Sequence, residues 1–295
     1  MRRPPLVAAC LACLMGAALP RATLAQDCLD YGAYLRWAGE ATLPGPARAL
    51  ALDGSLAYVA CDSAGLVVVD WADPAAPLVV GALDTPGRAH AVVLGDGHAY
   101  VADGAAGLQV VDLTDPRHPL IAGTASTSDA RGVALDGELA YVADGASGLV
   151  VVNVSRPDSP RVVGGLNTPG FAVGVAASGL FVYLAAQAAG LLVVHVGDAT
   201  HPLACGALDL PDFANAVAVA ERRAYVAAGS GGLHVADVAD SNAPELIGTA
   251  DTPGYARGVA LLGGTAYVAD SGAGLQIVDV ADPASPRVTA GVGTR

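Results

Sequence analysis

The chain has 295 residues, 53% of them hydrophobic and only 15% charged, so it carries ample material for a core and too little charge for a disordered polymer. All 15 basic residues are arginines and face 28 acids, a net charge of −13 that disfavours nucleic-acid phosphates and anionic lipid surfaces as partners. Aromatics stand at 5%, which leaves little for extended base- or sugar-stacking platforms.

The chain opens MRRPPLVAACLACLMGAALPRATLAQD. Arg2 and Arg3 give a positive start, Leu6 to Leu19 an apolar run, and Thr23-Leu24-Ala25 a small-residue cleavage site. Residues 1–25 therefore read as a secretory signal, too short for a comfortable membrane span. The expected destination is outside the cytoplasm: periplasmic, extracellular or on the cell surface. Cleavage removes three arginines and no acid, leaving twelve basic against 28 acidic residues, or −16. Cys10 and Cys13 leave with the signal. Cys28, Cys61 and Cys205 remain and allow one disulfide, with Cys28–Cys61 the candidate pair and three free thiols the alternative.

Residues 26–41 form an arm. Its continuation Tyr34 to Gly45, YLRWAGEATLPG, parallels LVVGALDTPG (Leu78 to Gly87), so the arm offers a candidate extra strand. From residue 42 to 295 one unit recurs. The tyrosine of its YVA element falls at Tyr58, Tyr100, Tyr141, Tyr183, Tyr225 and Tyr267, at intervals of 41 or 42 residues. A Gly-Leu pair follows at Gly65, Gly107, Gly148, Gly190, Gly232 and Gly274, and a proline opens each last segment, from Pro77 to Pro286.

Each of the six units breaks into four strand-length pieces between turn residues, as in AHAVVL, HAYVAD, GLQVVDL and PLIAGTAS of the second. Four short antiparallel strands every 42 residues or so predict an all-β, six-bladed β-propeller, because a lone blade is marginal and a ring of blades covers both faces of each. First pieces such as ARALAL and ANAVAV are rich in Ala and Gly, which suits strands crowded round an axis. Third pieces such as GLVVVD are β-branched, which suits strands buried between blades. Turns such as DWADPAAP set Asp73, Asp115 and Asp282 before prolines, where turn capping accounts for the acids without a metal. Gly170 to Gly197 is a run of 28 residues without a formal charge, yet it aligns without gaps to the other units and is expected to form strands, not a membrane helix. The arm and the terminal PRVTAGVG compete to complete blade six; the terminal segment is expected to do so, with the arm packed on an edge or the bottom of a closed ring.

Leu66-Val67-Val68-Val69-Asp70, Leu108-Gln109-Val110-Val111-Asp112 and Leu275-Gln276-Ile277-Val278-Asp279 resemble the LVIVD repeat of secreted and surface-associated prokaryotic proteins. The likeness spans all six units; the third and fourth depart at the closing Asp, with Asn153 and His195. The resemblance implies a β-propeller outside the cytoplasm. It implies no catalytic residues, since that family carries no general catalytic assignment.

The units serve as internal replicates for locating a site. The second position of the first piece reads Arg48, His90, Arg131, Val173, Asn215, Arg257, and thirteen residues on stand Cys61, Asp103, Asp144, Ala186, Ala228, Asp270. Charged positions pair with charged and apolar with apolar, as antiparallel neighbours would. Arg48, His90, Arg131, Asn215, Arg257, Asp103, Asp144 and Asp270 are therefore the ligand-binding candidates at the channel mouth. The competing reading is a set of intra-blade ion pairs, with Arg48, opposite Cys61, the arginine most free to meet a ligand.

These observations predict a secreted, non-catalytic binding or scaffolding propeller, monomeric, with an extracellular protein or glycan as partner. No cofactor, metal, catalytic residue or nucleic acid is expected. The alternative is an extracellular carbohydrate-active hydrolase or lyase using the same ring of Arg, Asp, His and Asn. The sequence lacks S-x-D-x-G-x-x-W turns, G-x-S-x-G and phosphate-cradling loops, and its six histidines never fall in metal-ligand spacing.

Overall fold

A computed structural model of the chain describes residues 38–293. They form a six-bladed β-propeller, each blade a four-stranded antiparallel meander whose strand order follows the chain. Blade one is β1 (Ala49–Asp53), β2 (Leu56–Ala60), β3 (Leu66–Asp70) and β4 (Leu78–Leu83); blade two is β5 (Ala91–Gly95), β6 (His98–Ala102), β7 (Leu108–Asp112) and β8 (Leu120–Ala125). Blade three runs β9 (Gly132–Asp136), β10 (Leu139–Ala143), β11 (Leu149–Asn153), β12 (Arg161–Leu166); blade four β13 (Gly174–Ser178), β14 (Phe181–Ala185), β15 (Leu191–His195), β16 (Leu203–Leu208). Blade five runs β17 (Ala216–Ala220), β18 (Arg223–Ala227), β19 (Leu233–Asp237), β20 (Glu245–Ala250); blade six β21 (Gly258–Leu262), β22 (Thr265–Ala269), β23 (Leu275–Asp279), β24 (Arg287–Val292).

The repeated residues explain the repeated blade. In the second unit Asp96 (φ 48°) and Gly97 (φ 74°) both take left-handed backbone, the two-residue turn that matches strand twist and pairs Gly95 with His98. The glycine of each Gly-Leu pair is required by its surroundings: Gly65 has φ 71°, and a Cβ there would fall within 2.5 Å of the Leu83 carbonyl oxygen. Side chains alternate along each strand, so every blade feeds two cores. Ala99 and Val101 of β6 pack with Tyr58, Leu66 and Val68 of blade one, while Tyr100 and Ala102 pack with Ala140, Val142 and Val152 of blade three. The YVA tyrosine thus points forward to the next blade. The third and fourth strands shift register at a bulge in every blade, as between Val68 and Val69, which twists the outer strand.

Gly170 to Gly197 supplies β13, β14 and β15, and among the described residues no helix is long and apolar enough to cross a membrane. Cys61 is fully buried among Val59, Val67 and Trp71; Cys28, its candidate disulfide partner, lies outside the described residues, as do residues 1–25. Cys61 fills the apolar core face of blade one, and burial pushes its thiol pKa up.

Five blade-to-blade junctions are alike. Inner strands β1, β5, β9, β13, β17 and β21 pack in succession, and one bridge stitches each mouth loop to the next: Asp62 with Ala89, Gly104 with Ala130, Gly145 with Ala172, Gln187 with Ala214, Gly229 with Ala256. From blade six back to blade one, β21 does not pack on β1 in this way. Blade six is completed by β24 as expected. The arm, which forms no strand from residue 38 to 48, lays Ala41 and Leu43 on the core face of blade one beside Val59, Val67 and Trp71.

Candidate functional site at the channel mouth

The six aligned positions ahead of the first strands are held identically. Arg48 N donates to Ala60 O at 2.8 Å, His90 N to Ala102 O at 2.8 Å, Arg131 N to Ala143 O at 2.8 Å, and Val173, Asn215 and Arg257 do likewise. Each ladder is thereby extended by one residue onto the mouth face, in blades two to six just past the alanine that bridges to the preceding blade.

The three aspartates of the candidate set do something else. Asp103, Asp144 and Asp270 are 0–1% exposed and turn away from the mouth. Asp103 accepts from Thr85 Oγ1 (2.6 Å) and Gly87 N (2.9 Å); Asp270 accepts from Thr252 Oγ1 (2.8 Å) and Gly254 N (2.8 Å). Asp144 accepts from the backbone of Ser128 (2.9 Å) and Asp129 (2.7 Å). Each carboxylate clamps the loop arriving from the previous blade, satisfying donors that would otherwise be buried without partners. Burial raises the pKa of Asp103, with the Thr85 and Gly87 bonds opposing it. The expected pairs Arg131–Asp144 and Arg257–Asp270 are accordingly absent.

The arginines pair elsewhere. Arg48 holds Asp62 through Nε (3.0 Å) and Nη2, and keeps that carboxyl below the ordinary range, so it is not the free arginine that its place opposite Cys61 suggested. Arg131 Nε donates to Asp129 Oδ1 at 2.8 Å, with the guanidinium over the Phe171 ring at 5.4 Å. Arg257 Nε reaches Ser271 Oγ at 3.2 Å and stacks on Tyr255 at 4.9 Å. Asn215 Nδ2 donates to Ala256 O at 2.8 Å and braces the junction between blades five and six.

One cleft gathers part of the set. About 470 Å³ in volume, it is lined by Gly87, Arg88, His90, Gly104, Ala105, Asp129 and Arg131, from blades two and three and the loops that enter them. Arg88 is its most available cation: the side chain is 71% exposed and stands 3.7 Å from Asp62, too loose and wet a pair to hold it. Burial, then the charge of Arg131, depresses the His90 pKa below 6.5, so the imidazole is neutral at pH 7. Arg48, Arg88 and Arg131 against Asp62 and Asp129 leave a local excess of positive charge on an acidic protein.

Arg88, Asp62 and Asp129 escaped the reading of the repeat, although a signal existed. Two residues before the Arg48 column the units read Pro46, Arg88, Asp129, Phe171, Phe213, Tyr255. That column divides the mouth into a charged half, on blades two and three, and an aromatic half on blades four to six. Phe213 at its centre is 47% exposed.

The LVIVD repeat matches six times, over residues 44–85, 86–127, 128–168, 169–209, 213–252 and 253–294. The chain belongs to the LVIVD repeat family. Among solved structures it is similar to a crystal structure of the computationally designed Ika8 protein, at 10% identity and a TM-score of 0.62, over 80% of this chain and 71% of that one. That likeness is one of fold alone. Comparison with curated proteins gave no match.

Proposed function

We propose that this protein is a secreted, non-catalytic binding propeller that takes a carboxylate-bearing ligand in the cleft between Arg88, His90 and Arg131. The observation that carries this is the exposed, loosely paired guanidinium of Arg88 facing the Arg131 guanidinium across a concave site. Guanidinium forks match carboxylates in shape as well as charge. The Phe171 ring beneath Arg131 keeps that fork in place, and Phe213 and Tyr255 extend an apolar platform round the mouth. The enzyme alternative needs acids facing the ligand, whereas the oxygens of Asp103, Asp144 and Asp270 are occupied by loop donors. Secretion is supported by the charge and apolarity pattern of residues 1–25.

Titration calorimetry on the chain from residue 26 onward tests the reading. The panel is a uronate oligosaccharide, its methyl-ester form, a neutral oligosaccharide and an acidic peptide. Binding of an acid form with loss of affinity in Arg88→Ala and Arg131→Ala supports it, and the saccharide and peptide arms identify the source of the carboxylate. Equal binding of ester and acid, or turnover of the oligosaccharide, overturns it.

A further inference from the structure

The second residue of the third strand varies from blade to blade, and its side chain points back towards the preceding blade. In five blades it is closed in. Val67, Gln109, Leu192, His234 and Gln276 are each at most 6% exposed, opposite Ala82, Thr124, Ala207, Thr249 and Gly291 of the fourth strand. In blades two and six the occupant is an amide that reaches the mouth loop. Gln109 Nε2 donates to Ala106 O at 2.8 Å, and Gln276 Nε2 to Ala273 O at 2.9 Å. Gln109 Oε1 in turn accepts from Thr124 Oγ1 at 2.6 Å. In blade one, where the residue is a valine, Leu43 of the arm packs on the same cluster.

Blade three is the exception. Val150 is only partly buried, and its cross-strand neighbour is Gly165, which adds no side chain. A cleft of about 500 Å³ lies there, with Val150, Val162 and Leu166 as its apolar lining and Ser126, Ser128, Ser147 and Asn167 as its polar one. Ser147 holds the place of Ala106 and Ala273, one residue before the glycine of the Gly-Leu pair. Val150 cannot give its carbonyl the N–H that Gln109 and Gln276 give in blades two and six. The ionisable group of the lining is Asp144, and its two oxygens are taken by the backbone of Ser128 and Asp129. The cleft therefore offers a ligand no counter-charge and suits a neutral one.

We propose that this cleft binds a neutral acetamido sugar, an N-acetylhexosamine. The sugar's amide N–H takes the place of the glutamine amide at Ser147 O. Its carbonyl oxygen accepts from a serine hydroxyl, as Gln109 Oε1 accepts from Thr124, and its methyl group lies on Val150 and Val162. An amide alone fills a fraction of the volume; Ser126, Ser128 and Asn167 supply partners for the ring hydroxyls in the remainder. The cleft shares no lining residue with the one between Arg88 and Arg131, so this site stands independently of the carboxylate reading.

Titration calorimetry on the chain from residue 26 onward compares triacetylchitotriose with cellotriose, which carries a hydroxyl in place of each acetamido group. The acetamido trisaccharide is expected to bind about tenfold more tightly. Val150→Gln seats the protein's own amide, as Gln276 does opposite Gly291, and Val150→Leu fills the space, as Leu192 does opposite Ala207. Each should weaken the trisaccharide by about tenfold or more, with circular dichroism melts confirming that the variant is folded. Equal affinity for the two sugars overturns the proposal, as does full affinity in a folded variant. Preference for N-acetylglutaminamide over the trisaccharide overturns the assignment to a sugar.

Discussion

The hydroxyl of Thr85 donates a 2.6 Å hydrogen bond to Oδ1 of Asp103, eighteen residues ahead and in the next blade. Thr168 occupies the same place before blade four, but Ala186 stands where the carboxylate would be, and the buried Thr168 hydroxyl has no partner. The same isosteric change should therefore act with opposite sign at the two sites. Thr85→Val is expected to destabilise by about 2 kcal/mol, since it strips a donor from a buried carboxylate, and Thr168→Val to stabilise by about 1 kcal/mol. Urea unfolding midpoints compared with the wild-type chain check both.

Gly81 and Gly54 separate crowding from backbone strain. Gly54 has φ 56° with nothing within 4 Å of a Cβ, so Gly54→Ala costs only the left-handed penalty, about 1 kcal/mol. At Gly81 the new methyl would strike Pro116 O, and Gly81→Ala should cost about 2–3 kcal/mol and loosen the junction between blades one and two. Amide exchange localised to β4 and β5 would distinguish that loosening from a global loss.

His234 is 3% exposed and neither ring nitrogen has a hydrogen-bond partner. Gln109 fills the equivalent place in blade two, donating to Ala106 O at 2.8 Å and accepting from Thr124 Oγ1 at 2.6 Å. His234 faces Thr249 across the ladder as Gln109 faces Thr124, so His234→Gln should gain both bonds and stabilise by about 1–2 kcal/mol. Burial holds the His234 pKa below 6.5, against the pull of Asp212. The unfolded chain thus binds more protons, and His234 costs stability progressively as pH falls below 6.5. Thermal melts between pH 7 and pH 5 should show a shallower decline in His234→Gln.

His90 tests the binding site by charge. Its depressed pKa means that acidification below 6.5 adds a proton beside Arg88 and Arg131, with Arg48, Asp62 and Asp129 the other charges facing it. Affinity for a carboxylate ligand should rise between pH 7 and pH 5 by about 1 kcal/mol, or roughly fivefold. His90→Asn should flatten that profile in calorimetric titrations.

Blade number and the division of each blade into four strands were legible because each rests on a local rule repeated six times, whereas the forward direction of the tyrosines emerged only from the packing between blades. The terminal strand was assigned to blade six correctly on the same grounds. The site was legible only in part. Counting thirteen residues correctly placed Asp103 beside His90 along the ladder, but the direction of a carboxylate depends on which loop lacks acceptors. Thr85 and Gly87 come from another unit, outside any within-unit comparison. Arg48 likewise found Asp62, one residue beyond the position considered, because the loop after β2 lifts that side chain towards the mouth. The arm was recognised as a fourth-strand mimic, and Ala41 and Leu43 do meet the core face of blade one, although residues 38–48 form no strand.

Every blade is woven from one uninterrupted stretch of about 42 residues, and no strand is lent to a neighbour's sheet. Gene segments of that length can consequently be duplicated or lost without rewiring the remaining sheets. The cost falls on the arc alone, which must reseat its two ends. Folding inherits the same locality: hairpins join near neighbours in the sequence, so assembly can start at any wedge and spread outward, and only the last step waits on the distant termini.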